Sequence, residues 1–109
     1  MNKPMNRKQA LAELITKVEA GEIVTAYDAS RIWPTGFAHA INASHGSLDA
    51  ALALHEAVLP GWEWSLDRDG ADVWINNPDK GPYPSDGTPA RAWLLAIIKA
   101  LHAMEKDDG

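Results

Sequence analysis

The run from Trp62 to Asn76, WEWSLDRDGADVWIN, decides the fold, because its side chains alternate with a period of two on both sides of a turn signal. Trp62, Trp64 and Leu66 alternate with Glu63, Ser65 and Asp67. Beyond Asp69-Gly70, the residues Ala71, Val73 and Ile75 alternate with Asp72, Trp74 and Asn76. Asp-Gly is a preferred pair for a two-residue type I′ hairpin turn. With Asp69-Gly70 as that turn, Leu66 faces Val73 and Trp64 faces Ile75, and the four share one apolar face. A slip of one residue mixes Trp64 with Trp74 and Leu66 with Asp72 and spoils the face. The same register sets Asp67 opposite Asp72, a small repulsion beside the gain from burying the apolar set. The pattern predicts strands over about 62–67 and 71–77.

A two-stranded hairpin is marginal in water, so other elements must cover it. On the C-terminal side, residues 77–88 hold Pro78, Gly81, Pro82, Pro84 and Gly87 and read as a loop. Thr88 then caps a helix with Pro89 at its first position, where the missing N–H costs nothing. Along the helix over 88–104 and just past its end, Arg91, Lys99, His102 and Lys106 trace a narrow polar stripe. Trp93, Leu94, Ile97, Ile98, Leu101 and Met104 fill the rest, the pattern of a mostly buried helix. On the N-terminal side, Ser47 caps a helix over 47–59 with Asp49 in its first turn, and Pro60-Gly61 ends it. Leu48, Ala51, Leu52, His55 and Leu59 share one side of that helix.

Further back, Phe37, His39 and Ile41 alternate with Ala38, Ala40 and Asn42 and read as a short strand after the Pro34-Thr35-Gly36 turn. Thr25 and Asp28 give a capping pattern for a short helix over about 26–33. The first helix, about 6–20, starts at Asn6 and carries Leu11, Leu14, Ile15 and Val18 at helical spacing. Glu13 and Lys17 form an i, i+4 pair on it, and Gly21 is a left-handed cap at its end. Residues 1–5 and 105–109 read as a flexible start and tail around a single domain spanning 6–104.

The expected fold is α+β: a small helix–sheet–helix sandwich in which helices 47–59 and 88–104 cover the Trp64/Leu66/Val73/Ile75 face. Trp74 points to the other face, where either helix 6–20 covers it or it stays exposed. If exposed beside Tyr83 of the Pro-Tyr-Pro loop, it makes an apolar patch with polar edges, so Trp74 and Tyr83 are the candidate partner-contact residues. Of the five tryptophans, Trp62, Trp64 and Trp93 are most simply core, and Trp33 staples the short helix to the body.

The chain of 109 residues has ten basic and fifteen acidic side chains, a net charge of -5 and no cysteine. Disulfides, thiolate metal sites and cysteine nucleophiles are excluded. No run of about 18 apolar residues predicts a membrane span, and the start has no apolar core of a secretory signal. His39, His45, His55 and His102 lack metal-site spacing. His55 sits in a last helical turn, where the helix dipole favours it. Ser44-His45 has no nucleophile elbow around it, and Ser44-His45-Gly46 reads as a turn with Ser47 as a cap. Asp67, Asp69 and Asp72 cluster at the hairpin tip without the spacing of a calcium loop. No catalytic, cofactor or metal residue is expected.

The stretch Ser47-Leu48-Asp49-Ala50-Ala51-Leu52-Ala53-Leu54, then Gly61-Trp62-Glu63-Trp64, then Thr88-Pro89-Ala90-Arg91-Ala92, resembles the phage ABA sandwich domain family of small phage and prophage proteins. Asp28 and Ile32 fit its Asp-x-x-Ile segment. Ser44 and His45 stand where that family favours Tyr and Thr. The resemblance covers about 25–104. It implies a three-layer fold and a phage or prophage protein in a bacterial host cytoplasm, and it brings no established activity. The expected function is a non-enzymatic accessory protein acting through contact with an unknown protein partner or with itself. The alternatives are a nucleic-acid-associated protein or a small enzyme. Lys3, Arg7, Lys8 and Lys17 are spread out, so the charge speaks against nucleic acid, which needs clustered cations. An acidic surface mimicking nucleic acid would need more than -5.

Overall fold

The computed structural model describes residues 7–33, 37–67, 70–74, 83–86 and 88–105, with the side chains of Phe37, Asp67, Trp74 and 83–86 left out of the description. The order is α1 (Arg7–Glu19), α2 (Ala26–Ser30), α3 (Phe37–Ser44), α4 (Leu48–Val58), β1 (Glu63–Asp67), β2 (Gly70–Trp74), β3 (Tyr83–Asp86) and α5 (Pro89–Met104). The fold is α+β. The expected flexible start, the 34–36 turn, Ile75 and residues 106–109 lie outside the described residues.

Local signals set most helix ends. Gly21, at φ 85°, closes α1 in a Schellman motif: its N–H donates to Val18 O and the Glu22 N–H to Lys17 O. Thr25 and Asp28 form a complete capping box on α2. Ser47 Oγ accepts the Ala50 N–H at the start of α4. Thr88 stands at the start of α5 without a side-chain capping bond, and Pro89 occupies the first turn.

Residues 37–44 are a helix, α3, where a strand was expected. Their alternation competes with a helical stripe of Phe37, Ala40, Ile41 and Ser44, and alanine favours the helix. Gly46, at φ 103°, ends it in a second Schellman motif, with Gly46 N–H donating to Ala43 O and Ser47 N–H to Asn42 O.

The sheet has three antiparallel strands in the order β1-β2-β3. Trp64 pairs with Val73, Leu66 with Ala71, Ser65 with Asp72 and Asp67 with Gly70. This register is two residues from the expected one, and Gly70 belongs to β2, so residues 68 and 69 link the strands. A shift of two preserves every face, so Trp64, Leu66 and Val73 still share theirs. It also removes the repulsion between Asp67 and Asp72, each of which now faces an uncharged residue.

The third strand falls where a loop was expected. Val73 pairs with Tyr83, Asp72 with Pro84, Ala71 with Ser85 and Gly70 with Asp86. Asp67 and Gly70 flank a two-residue link, so they must be a hydrogen-bonded pair, and such pairs then alternate along the ladder. Asp72 therefore bonds back to Ser65, and its partner Pro84 sits where an N–H would face away from β2. Proline is tolerated at such a position on an outer strand.

Helix α5 packs against all three strands and also against α1, α3 and α4. Each residue from Ala92 to Ile98 is buried, which covers its whole circumference. Helix α1 packs along α5, not over the second sheet face, so the layers run sheet, α5, remaining helices, instead of helix–sheet–helix. Leu11, Leu14, Val24, Trp33, Leu54 and Leu59 complete the core on the helical side. Leu48 and Met104, at helix ends, stay exposed.

The polar stripe of α5 has a structural task. Arg91 Nη1 donates to Ser44 O at 2.8 Å, while Nη2 donates to Val18 O at 3.0 Å and Glu22 O at 2.7 Å. One guanidinium thus satisfies carbonyls at the ends of α1 and α3 and in the link after α1, with its charge at two negative helix ends. Hydrogen bonds to a charged group contribute about 1.5–3 kcal/mol each, less where water competes. Arg91→Leu is expected to lower the unfolding free energy by about 3 kcal/mol in urea titrations, given those values. Arg91→Lys should recover little of it, because an ammonium cannot replace the planar fork.

Candidate functional site

Strand β1 is an outer strand, and the consequences follow from its register. Since Ser65 and Asp67 bond to β2, the N–H and C=O groups of Trp64 and Leu66 point away from the sheet. Among the described residues no segment pairs with them. Trp64 is 44% exposed, although the sequence reads it as core. Its indole lies against Trp93 of α5 at a ring-centroid distance of 4.4 Å and an angle of 34°.

Trp93 is in turn held by the buried His55. Trp93 Nε1–H donates to His55 Nδ1 at 3.2 Å, and the rings lie 5.8 Å apart. His55 Nδ1 is therefore an acceptor, which puts the ring proton on Nε2, where it donates to Trp62 O at 3.0 Å. A chain of contacts runs from α4 through α5 to the start of β1. Gly61, at φ 84°, supplies the left-handed turn between α4 and β1. Trp64 is thus an exposed aromatic on a fixed support, and a fixed side chain loses little freedom when a partner covers it.

The structure redistributes the other sequence candidates. Trp74 and Tyr83 fall on β2 and β3, outside the described residues as far as their side chains go, and their backbones are one register step apart. Ser44 is buried: Oγ donates to Ile41 O at 2.6 Å and accepts the Val24 N–H at 3.2 Å. It ends α3 and is not part of a bare turn. His55 serves Trp93 and Trp62, not merely the helix end. His39 and His102 are half-buried and His45 is exposed. Among the described residues no group of three His, Asp or Glu stands ready to hold a metal ion.

A cleft of about 380 Å³ lies between α1 and α2, lined by Glu13, Lys17, Glu22, Asp28 and Arg31 over Leu14. Its charges are largely spent on one another. Lys17 and Glu13, expected to pair along α1, reach across instead: Lys17 Nζ bonds Asp28 Oδ2, and Arg31 meets Glu13 at 4.0 Å. Arg31 also lies over the exposed Tyr27 ring at 5.3 Å. Partial burial pushes the Asp28 carboxyl up, but bonds from Lys17 and Thr25 outweigh it and hold its pKa below the ordinary value. The bond to Asp28 raises the pKa of Lys17.

Comparison with known protein families, with curated proteins and with solved structures found no match. Among the described residues no helix is long and apolar enough to cross a membrane.

The contacts of His55 and Asp28 set three expected outcomes. His55→Leu strips the buried Trp93 N–H of its acceptor and removes the bond to Trp62 O, and should lower stability by about 2–4 kcal/mol, a loss read by chemical denaturation. Nitrogen-15 spectra of the wild type should show the proton of His55 on Nε2. The depressed Asp28 pKa stabilises the fold above the unfolded value of 3.8, and that contribution is lost as pH falls through the lower folded value. The melting temperatures of wild type and Asp28→Asn should therefore differ at neutral pH and converge in acid.

Proposed function

We propose that this chain is a non-enzymatic accessory protein of phage or prophage type that acts by binding another protein. The observation that carries the reading is Trp64: a half-exposed indole on an outer strand, braced from behind by Trp93 and His55. Exposed apolar residues are ordinary one at a time. A tryptophan stacked on a buried ring, beside backbone groups that no described segment pairs with, is different, because aromatic anchors on prepared supports contribute strongly to interfaces. Among the described residues the two buried polar side chains, Ser44 and His55, are both engaged in holding the fold, which favours contact over chemistry. The phage attribution rests on the motifs from Ser47 to Trp64 and from Thr88 to Ala92.

A photo-crosslinking residue placed at position 64 in host cells, with position 42 as an exposed control, tests this reading. A discrete protein adduct at 64 and none at 42 is expected. Equal, diffuse labelling at both positions would remove the contact role.

A further inference from the structure

We propose that the outer edge of β1 takes up a foreign extended strand, antiparallel to Glu63–Asp67, whose alternate residues are basic and apolar. This rests on the contact reading above and specifies its partner.

Strand addition needs backbone groups that point outward, and Trp64 and Leu66 supply two N–H and two C=O groups. Paired residues share a face. Partner residues opposite Trp64 and Leu66 would lie over the exposed indole and the half-buried leucine, and apolar side chains suit them. Partner residues opposite Glu63, Ser65 and Asp67 would lie on the other face. There Glu63 is exposed, and Asp72, half-exposed, pairs with Ser65 beside it. Basic side chains suit those positions, and the chain's net charge of -5 adds long-range attraction.

A second copy of this chain fits poorly. The antiparallel register that uses both Trp64 and Leu66 sets Glu63 of each copy opposite Asp67 of the other, two like-charge pairs. The opposite edge of the sheet, β3, presents Pro84 where an outward N–H would be needed.

The test uses the full chain and a blocked Lys-Val-Lys-Val-Lys peptide, followed by amide NMR and hydrogen exchange. Binding is expected to slow exchange at the Trp64 and Leu66 amides, while Ser65, already bonded to β2, changes little. N-methylation of both valines should weaken binding at least tenfold, and so should glutamate in place of the lysines. Leu66→Pro removes an outward N–H without touching the β1–β2 ladder and should do the same; the methylated peptide gives the answer if that variant fails to fold. Absence of binding, or equal binding by the glutamate peptide, overturns the proposal. Equal binding by the methylated peptide also overturns it but leaves side-chain contact at Trp64 intact. Protection of Trp64 that rises with protein concentration alone makes the occupant a second copy and overturns it as well.

Discussion

Seven consecutive residues of α5, Ala92 to Ile98, have no side turned to water, and that constraint organises the molecule. Two turns of helix buried on every side need cover from two directions. The sheet supplies one and α1, α3 and α4 supply the other. Leu94, Leu95, Ile97 and Ile98 each contribute about 1.5–3 kcal/mol when fully buried, so a large share of the stability resides in one element. Polar side chains of α5 then satisfy groups on the elements packed around it. Arg91 does this at one end of the helix, for the chain ends of α1 and α3. Trp93 does it for the β1 side, by passing its N–H to His55.

Elements whose evidence is local were legible. The glycine after α1, the Thr25–Asp28 box, the Ser47 cap and the Thr88-Pro89 start each announce a helix end through neighbouring residues. Helix α3 was missed because eight residues rich in alanine support a period of two and a period of 3.6 almost equally. Gly46, which closes α3, was the signal that would have decided it. The third strand was hidden by Pro84, which argues against a strand except on an outer edge with its nitrogen turned outward. Trp64, Leu66 and Val73 share a face as their alternation implies, although the register is off by two. Side-chain parity follows from composition, whereas the exact pairing also depends on where Asp67 and Asp72 avoid each other.

Alternation tells which face a residue occupies but not where its strand sits in the sheet, and this separates Trp74 from Trp64. The sequence pointed to Trp74 because it lies off the apolar face. Addition of β3 makes β2 the central strand and β1 an outer one. The tryptophan on the apolar face, Trp64, is then the one at the rim, where α5 reaches only part of its indole. The His55–Trp93 bond was equally out of reach, since its partners are 38 residues apart. Arg91 looked like a solvated charge for the same reason: its three acceptors lie on segments that only the completed fold brings together.

A three-stranded sheet has two edges, and here they are treated differently. At β3, Pro84 withholds an outward donor, a covalent block that acts on any incoming strand. At β1, no described segment takes up the two outward donors, and the guard is charge: Glu63 and Asp67 flank the apolar pair Trp64 and Leu66. Charge, unlike proline, is selective. It disfavours a second acidic strand, including this chain's own, and favours a basic one. On the proposal above, the same acidic residues that disfavour pairing of this edge with itself would also set the chemistry of the strand it takes up.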